Sequence, residues 1–405
     1  MSHILNDLII RILLESIKMK KIGILTFHRS INYGAYLQSF ALSKEIQNRF
    51  PEVKVEIIDF ELLSKNINKR KDLKVFPTCV EYWFKYKAFQ RDLKNLPLSS
   101  ITFITNKFDD FINFLEKEYD VIVVGSDAVW AYQNMDLENP YWLFGDKLRN
   151  VVKMSYAASA YSTDFKKVTN EDQEYISAML DDFYYIGVRD KETHNFIKNI
   201  QPDKEIFINC DPTFLLERVN NVEGANRTLK KNWINPNKPM ISFMTASMPY
   251  VKEVKEYIGS SYTFIHFNHR NRYLDILDSR TRLLFNLSPL EWYNLYSKCT
   301  LNISNYFHGT VLGIRNGVPT ISIDRTNFSY QYTGKIEQVM SDLKLLDYFF
   351  LLNKLHSKDE KDRLFSQIDF SLKNIESERL RVENSANIEK NKFESFYKAL
   401  KGILN

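Results

Sequence analysis

The chain has 405 residues, 44% of them hydrophobic and 14% aromatic, and 55 basic residues stand against 50 acidic ones for a net charge of +5. That length exceeds what a single hydrophobic core usually serves, and the small, evenly spread positive charge suits anionic small-molecule ligands and gives no basis for nucleic-acid binding. Three cysteines (Cys79, Cys210, Cys299) without metal-ligand spacing argue against a disulfide scaffold or a zinc site and point to a reducing cytoplasm.

Residues 1–19 read as an amphipathic extension, with Ile4, Leu5, Leu8, Ile9, Ile12 and Leu13 at helical spacing and no small-residue cleavage site. Three readings suit residues 1–18: peripheral membrane contact, a helix docked on the protein, or an extension upstream of a true start at Met19. "KKIGILTF" (20–27) is a short apolar strand, and "NYGAYLQSFALSKEIQNRF" after it has helical periodicity. A second strand is expected at 53–61, then a polar Lys-rich stretch (64–74), an aromatic helical region (80–96) and a helix at 107–119. "DVIVVGSDAVW" (120–130) is a continuous apolar strand closed by Gly-Ser-Asp, the pattern of a strand buried on both faces. Strands at 151–160 and 183–190 flank a helix at 171–182, and "EIFINCDPTFLL" (205–216) reads as a last strand and turn.

The two prolines and three asparagines of "KKNWINPNKP" (230–239) mark a linker. A second alternating series follows: strands at 240–246, 262–268, 282–286, 299–305 and 319–324, with helices at 250–258, 288–298 and 309–316. Charged helical sequence occupies 373–401. Strands alternating with helices imply an α/β protein with parallel sheets and right-handed crossovers. The expected units are 20–230, 231–372 and a C-terminal helical segment, 373–405.

In open parallel sheets ligands bind beyond the carboxyl ends of the strands. Four polar clusters fall there: His28 to Gly34, Gly125 to Asp127, Arg189–Asp190, and Asn305 to Thr310. Each has a structural alternative. Gly34 and Gly125 suit tight turns, Asp127 and Thr310 are ordinary helix N-caps, and Arg189 has Asp190 and Glu192 as surface ion-pair neighbours. A core histidine is the corresponding alternative for His308. The functional reading is that Gly309 turns the chain sharply and a helix start offers its N–H groups to an anion, beside an imidazole able to move a proton. The chain has no GxGxxG and no Walker A loop, and no Ser or Cys in a nucleophile-elbow context. His266 and His269 are read as structural or edge residues, and no metal constellation is evident.

Taken in order, these segments resemble the polysaccharide pyruvyl transferase family. The blocks are "INYGAYLQSFAL" (31–42), "DVIVVGSDAVW" (120–130), "SYAASA" (155–160), "GVRDKET" (187–193), "DPTFLL" (211–216) and the long block 288–323 around the His-Gly pair. The resemblance implies two Rossmann-like domains facing across a cleft, as in B-type glycosyltransferases. It further implies transfer of a pyruvyl group from phosphoenolpyruvate, as donor substrate and without a cofactor, onto sugar hydroxyls. The product would be a pyruvate ketal on a bacterial surface glycan or its lipid-diphosphate-linked precursor, with the enzyme cytoplasmic or at the inner face of the cytoplasmic membrane. His308 matches the family's functional histidine and Arg189 the arginine of its Val-Arg-Asp/Glu block, and these two are the expected catalytic residues. Asn32, Gly34, Gly125, Ser126, Asp127, Asn305, Gly309, Thr310 and Lys335 are the expected substrate-binding set. In some members an arginine stands two places before the histidine; here that place is Tyr306. Trp130, Tyr156 and Tyr306 are candidates for stacking on sugar faces. A sugar-nucleotide glycosyltransferase of the same architecture, or a binding module that has lost the chemistry, are the competing expectations.

Overall fold

The computed structural model describes residues 19–63, 78–131, 139–161, 163–245, 250–267, 279–284, 286–324 and 334–405, with backbone alone over 78–81. The expectations for residues 1–18, the Lys-rich stretch and His269 fall outside them, as does membrane contact through residues 1–18.

The N-terminal half begins with β1 (Lys21–Leu25), α1 (Tyr33–Arg49), β2 (Lys54–Ile57) and β3 (Phe60–Leu62). It continues through α2 (Thr78–Leu93), β4 (Phe103–Thr105), α3 (Asp109–Glu118) and β5 (Val121–Val124), then β6 (Val152–Ala158), α4 (Asn170–Leu180), β7 (Phe183–Val188), α5 (Lys191–Ile200) and β8 (Ile206–Ile208). Six of these strands form one parallel sheet, ordered β2-β1-β5-β6-β7-β8. All four residues of β5 are buried, which is why its sequence is apolar without alternation.

A helix the linker reading did not foresee, α6 (Val222–Lys231), leads into the C-terminal half. There follow β9 (Met240–Met244), α7 (Val251–Ile258), β10 (Thr263–His266), β11 (Thr281–Leu283), α8 (Pro289–Leu295), β12 (Cys299–Ser304), α9 (Phe307–Arg315), β13 (Thr320–Asp324), α10 (Lys335–Asp342) and β14 (Phe349–Leu351). The second sheet is also parallel, ordered β11-β10-β9-β12-β13-β14. Relabelled by order of appearance this is 3-2-1-4-5-6, the doubly wound order whose crevice opens where the winding reverses, between β9 and β12. In the first sheet the reversal lies between β1 and β5. Those four strand ends carry three of the four polar clusters.

Two departures from the expected elements have local causes. The strand expected over 53–61 divides at Ile58–Asp59, and β3 pairs with β4 in a separate two-stranded sheet. The strand of 120–130 is closed by Gly-Ser-Asp as expected: it ends at Val124, and Gly125 and Asp127 take φ of +116° and +81°. The other departure is α6, which buries Ala225, Thr228 and Leu229 and packs against α8, while the expected linker 230–239 is turn and coil beyond its first two residues.

The chain ends in α11 (Lys358–Lys373), α12 (Ile375–Lys390) and α13 (Phe393–Leu404). This segment returns to the N-terminal half. The Phe396 ring, fully buried, meets Tyr156 edge-on at 5.0 Å and Tyr185 at 5.5 Å between centroids. At the helix end Lys20 Nζ donates to the Leu404 carbonyl over 2.8 Å. Across the cleft, Arg91 bonds Glu291 at 2.8 Å and the Leu290 amide donates to Asp92 at 2.8 Å. No helix among the described residues is long and apolar enough to cross a membrane.

Phe396→Ala is expected to lower stability by about 3–5 kcal/mol in chemical denaturation, the usual cost of emptying a buried aromatic site. Ile388→Ala, on the 69% exposed side chain one helix earlier, is expected to leave it unchanged.

Candidate active site

Strand ends from both sheets converge on one region. After β1 the chain turns, and Asn32 caps α1 with its side chain, accepting from the Gly34 amide at 3.0 Å and the Ala35 amide at 3.5 Å. A Cβ built on Gly34 would lie 2.1 Å from Nδ1 of His308. Glycine is therefore required here by the approach of an imidazole from the other half of the molecule. One turn along, Gln38 is buried and its Nε2 donates to Asp211 Oδ2 over 2.5 Å.

Beyond β5, Gly125 has its φ in the region open to glycine, and a Cβ there would sit 2.2 Å from the Tyr156 carbonyl. Ser126 is buried; its carbonyl accepts from Thr26 Oγ1 at 3.1 Å and its own hydroxyl has no hydrogen-bond partner. Asp127 holds a positive φ that costs a residue with a side chain about 1–3 kcal/mol. It is fixed there by amides of Val129 (2.8 Å) and Ser159 (3.0 Å) on its carbonyl. No helix follows it, so it is not the N-cap that its residue type suggested.

Arg189 follows β7 and is 9% exposed. Its ion-pair partner is neither Asp190 nor Glu192. Asp190 caps α5 and accepts from Thr193 and Ser159, whereas Arg189 Nη1 reaches Asp211 Oδ2 at 3.3 Å. Asp211 is 3% exposed, and its other oxygen accepts from the Thr213 amide (3.0 Å) and hydroxyl (2.6 Å).

From the C-terminal half, α9 begins with Phe307 after Tyr306, which supplies no side-chain cap. His308 is thus in the first turn, and Gly309 does not turn the chain. Its bareness admits the Met244 and Ser304 side chains, since a Cβ would meet them at 2.7 and 2.4 Å. Thr310 is fully buried, bonded by Ser322 at 3.2 Å on the sheet side, and is not the helix N-cap. Asn305 follows β12, its amide held by the Met244 carbonyl at 3.0 Å. His308 Nε2 is buried without a hydrogen bond and lies 3.9 Å from Asp211 Oδ2. Phe307 carries the Arg189 guanidinium at 5.2 Å and the Lys335 ammonium at 5.5 Å from its ring centroid. Lys335, first residue of α10, also stands 4.7 Å from the Tyr161 ring. Arg189, Asp211, Phe307 and Lys335 line a common crevice.

Burial pushes the His308 imidazole below its ordinary pKa; Arg189 and Lys335 act in the same sense, against Asp211 and Asp127. Burial likewise lowers the Lys335 ammonium, helped by Arg189. Burial works to raise the Asp211 carboxyl, but the charges of His308 and Arg189 prevail and hold it below the usual carboxylate range. Asp127 acts electrostatically on Arg189, His308 and Lys335 alike. The arrangement offers a neutral imidazole, two cations and two carboxylates at one cleft: general acid–base chemistry on an anionic substrate.

The structure thus gathers His308, Arg189, Gly34 and Lys335, with Asp127 in electrostatic reach. It turns Gly309 and Thr310 toward the sheet. Trp130 and Tyr156 are buried core rings, Trp130 stacked on Trp142 at 4.8 Å and Tyr156 against Phe396, so neither is a sugar platform. Asp211, Gln38 and Tyr161 escaped sequence reasoning. The Asp-Pro-Thr run signals a capped turn, which Asp211 does form, and that role hides its second one. Among the described residues no cluster of three or more His, Cys, Asp or Glu could hold a metal ion.

Fold and site together define a two-domain, Rossmann-like protein of the B-type glycosyltransferase architecture. Its relatives in structure bear this out. UDP-GlcNAc 2-epimerase from Methanocaldococcus jannaschii superimposes with a TM-score of 0.53 at 15% identity, over 87% of this chain and 93% of that one. A UDP-N-acetylglucosamine 2-epimerase from Listeria monocytogenes, described as putative, gives 0.54 at 12% identity over 95% and 96%. The Neisseria meningitidis UDP-GlcNAc 2-epimerase bound to UDP-GlcNAc gives 0.51 at 10% over 95% and 100%. At these identities the likeness is one of fold. No curated protein matches the chain in sequence. The family model for polysaccharide pyruvyl transferase matches residues 32–327, and the chain belongs to that family. It is accordingly a transferase, of the pyruvyltransferase kind.

Gly34→Ala is expected to displace the His308 ring and reduce kcat at least ~10-fold, while the melting temperature stays within a few degrees; steady-state kinetics beside a thermal melt test this. The lowered imidazole pKa sets the sign of the pH dependence. Turnover is expected to fall only on acidification below the ordinary histidine value near 6.5, and a kcat/KM profile shows where that limb lies.

Proposed function

We propose that the protein transfers a pyruvyl group from phosphoenolpyruvate to a pair of sugar hydroxyls, forming a pyruvate ketal on a bacterial surface polysaccharide or its lipid-diphosphate-linked precursor and releasing phosphate. The observation that carries this reading is the convergence of Arg189 and Lys335 on the Phe307 ring, next to His308, at the junction of the two halves. Phosphoenolpyruvate carries a phosphate and a carboxylate on one carbon. Two cations fixed side by side match that spacing of charge, and the guanidinium can bind one anion through two parallel hydrogen bonds.

The chemistry asks for proton transfer, not redox or metal activation. In the first step an acceptor oxygen bonds to the enol carbon, its proton leaves, and the methylene gains a proton to become a methyl group. The product is a tetrahedral ketal phosphate. In the second, phosphate departs with the C–O bond electrons and the neighbouring hydroxyl takes its place, losing its proton. A neutral His308 serves as the proton-transfer group, its Nε2 having no hydrogen bond within the protein. Arg189 and Lys335 hold the donor anions, and Asp127 is the second carboxylate positioned for acid–base work. Tyr306, at the N-cap of α9, leaves the donor's second cation to come from Lys335.

Sugar-nucleotide glycosyl transfer has the fold behind it and no observation at the site. Phosphoenolpyruvate is expected to raise the melting temperature and UDP and GDP to leave it unchanged; the reverse pattern overturns the proposal. His308→Gln is expected to cut turnover ~10²–10⁴-fold with the melt preserved, the range a positioned acid–base group supplies. Because Lys335 has a depressed pKa, the KM for phosphoenolpyruvate is expected to rise with pH well before the ordinary lysine value near 10.4, and that rise is expected to vanish in Lys335→Met.

A further inference from the structure

The strongest unassigned group in the molecule is the Asp211 carboxylate. It sits at the end of β8 and receives hydrogen bonds or charge from four directions: Gln38 Nε2 on α1 at 2.5 Å, Arg189 Nη1 after β7 at 3.3 Å, and the Thr213 amide and hydroxyl in its own turn. From the C-terminal half, His308 Nε2 approaches the same Oδ2 to 3.9 Å. That oxygen therefore faces the donor-binding cation and the proton-transfer ring at once. We propose that Asp211 is the positioning residue of the site: it fixes the Arg189 guanidinium for the donor and is the counter-charge through which His308 takes up and returns its proton.

The surroundings of the ring support the second role. Around His308 lie two carboxylates, Asp211 from β8 and Asp127 from β5, and two cations, Arg189 from β7 and Lys335 from α10. The amino end of α1 bears on it at Gly34, and that pole also disfavours an imidazolium. Within this near-balance Asp211 is the carboxylate in ion-pair range of the ring. When the ring takes up a proton, the resulting imidazolium stands 3.9 Å from that oxygen, close enough for the carboxylate to stabilise its charge. The adjoining acceptor atom, Gln38 Oε1, is buried without a partner, so the pocket holds a further unused hydrogen-bond acceptor. Charge neutralisation of Arg189 alone does not require a carboxylate facing both groups; an oxygen shared between the halves does more than that.

This rests on the reading of His308 as the proton-transfer residue, and its test is independent of the donor's identity. Full-length protein carrying ¹³C-labelled histidine is titrated by NMR in the absence of substrate, the His308 signal being the one lost in His308→Gln. In Asp211→Asn the imidazole is expected to titrate at lower pH than in the parent, with the acid limb of kcat/KM moving the same way and kcat falling at least ~10-fold. Asp211→Glu, which keeps the charge, is expected to restore the titration toward the parent value. Should Asp211→Asn fail to fold, Asp211→Ser carries the charge-removal comparison, with the same downward shift expected. An imidazole that titrates identically in the parent and in a folded variant lacking the charge overturns the proposal. Altered titration with no activity on phosphoenolpyruvate would leave Asp211 standing and sink the donor assignment instead.

Discussion

A bare α-carbon against an imidazole is the contact on which the architecture turns. Gly34 opens α1 in one half and His308 opens α9 in the other, and no side chain fits between them. Both helices begin at the carboxyl edges of parallel sheets, at or beside the places where the strand order reverses. That geometry is what brings groups distant in sequence into one cleft. Asn32 caps α1 so that its first turn keeps its place, and Arg189, Asp211 and Gln38 are held behind the ring by mutual bonds. The C-terminal helices close the arrangement from behind, with Phe393 and Phe396 seated on Tyr156 beneath the strand ends.

Electrostatics follows from this packing. Burying an arginine, a lysine, a histidine and an aspartate together is costly unless the charges compensate one another. Here Asp211 compensates Arg189 directly, and Lys335 and His308 answer by shifting toward their neutral forms. A site poised in that way suits an incoming anion, whose negative charge would favour the protonated forms of Lys335 and His308. Binding of substrate and protonation of the site are thus coupled through the same groups.

Much of this was legible in the sequence, and the rest fails for definable reasons. Alternation of apolar strands and periodic helices gave the parallel sheets, because burial on both faces leaves an unmistakable pattern, as in Val121–Val124. His308 and Arg189 were legible because each follows a strand. Gly34 was noticed for the right position and the wrong reason: a turn glycine and a glycine crowded by a ring 274 residues away look alike in sequence. Thr310 and Asp127 have cap-type residues at cap-like positions, yet the helix starts earlier in one case and no helix forms in the other. Trp130 and Tyr156 show the limit for aromatics, since one strand end can send a ring either into the cleft or under the sheet. Asp211 was hidden by satisfying a local rule completely.

The measurement that tests the account most directly is incubation of the purified protein with phosphoenolpyruvate and candidate glycan or lipid-linked acceptors, following inorganic phosphate and acceptor mass together. The account predicts phosphate release that depends on the acceptor, matched one for one by a pyruvate-sized gain on the sugar. Glycosyl transfer from a nucleotide sugar under the same conditions, with phosphoenolpyruvate left intact, would contradict it.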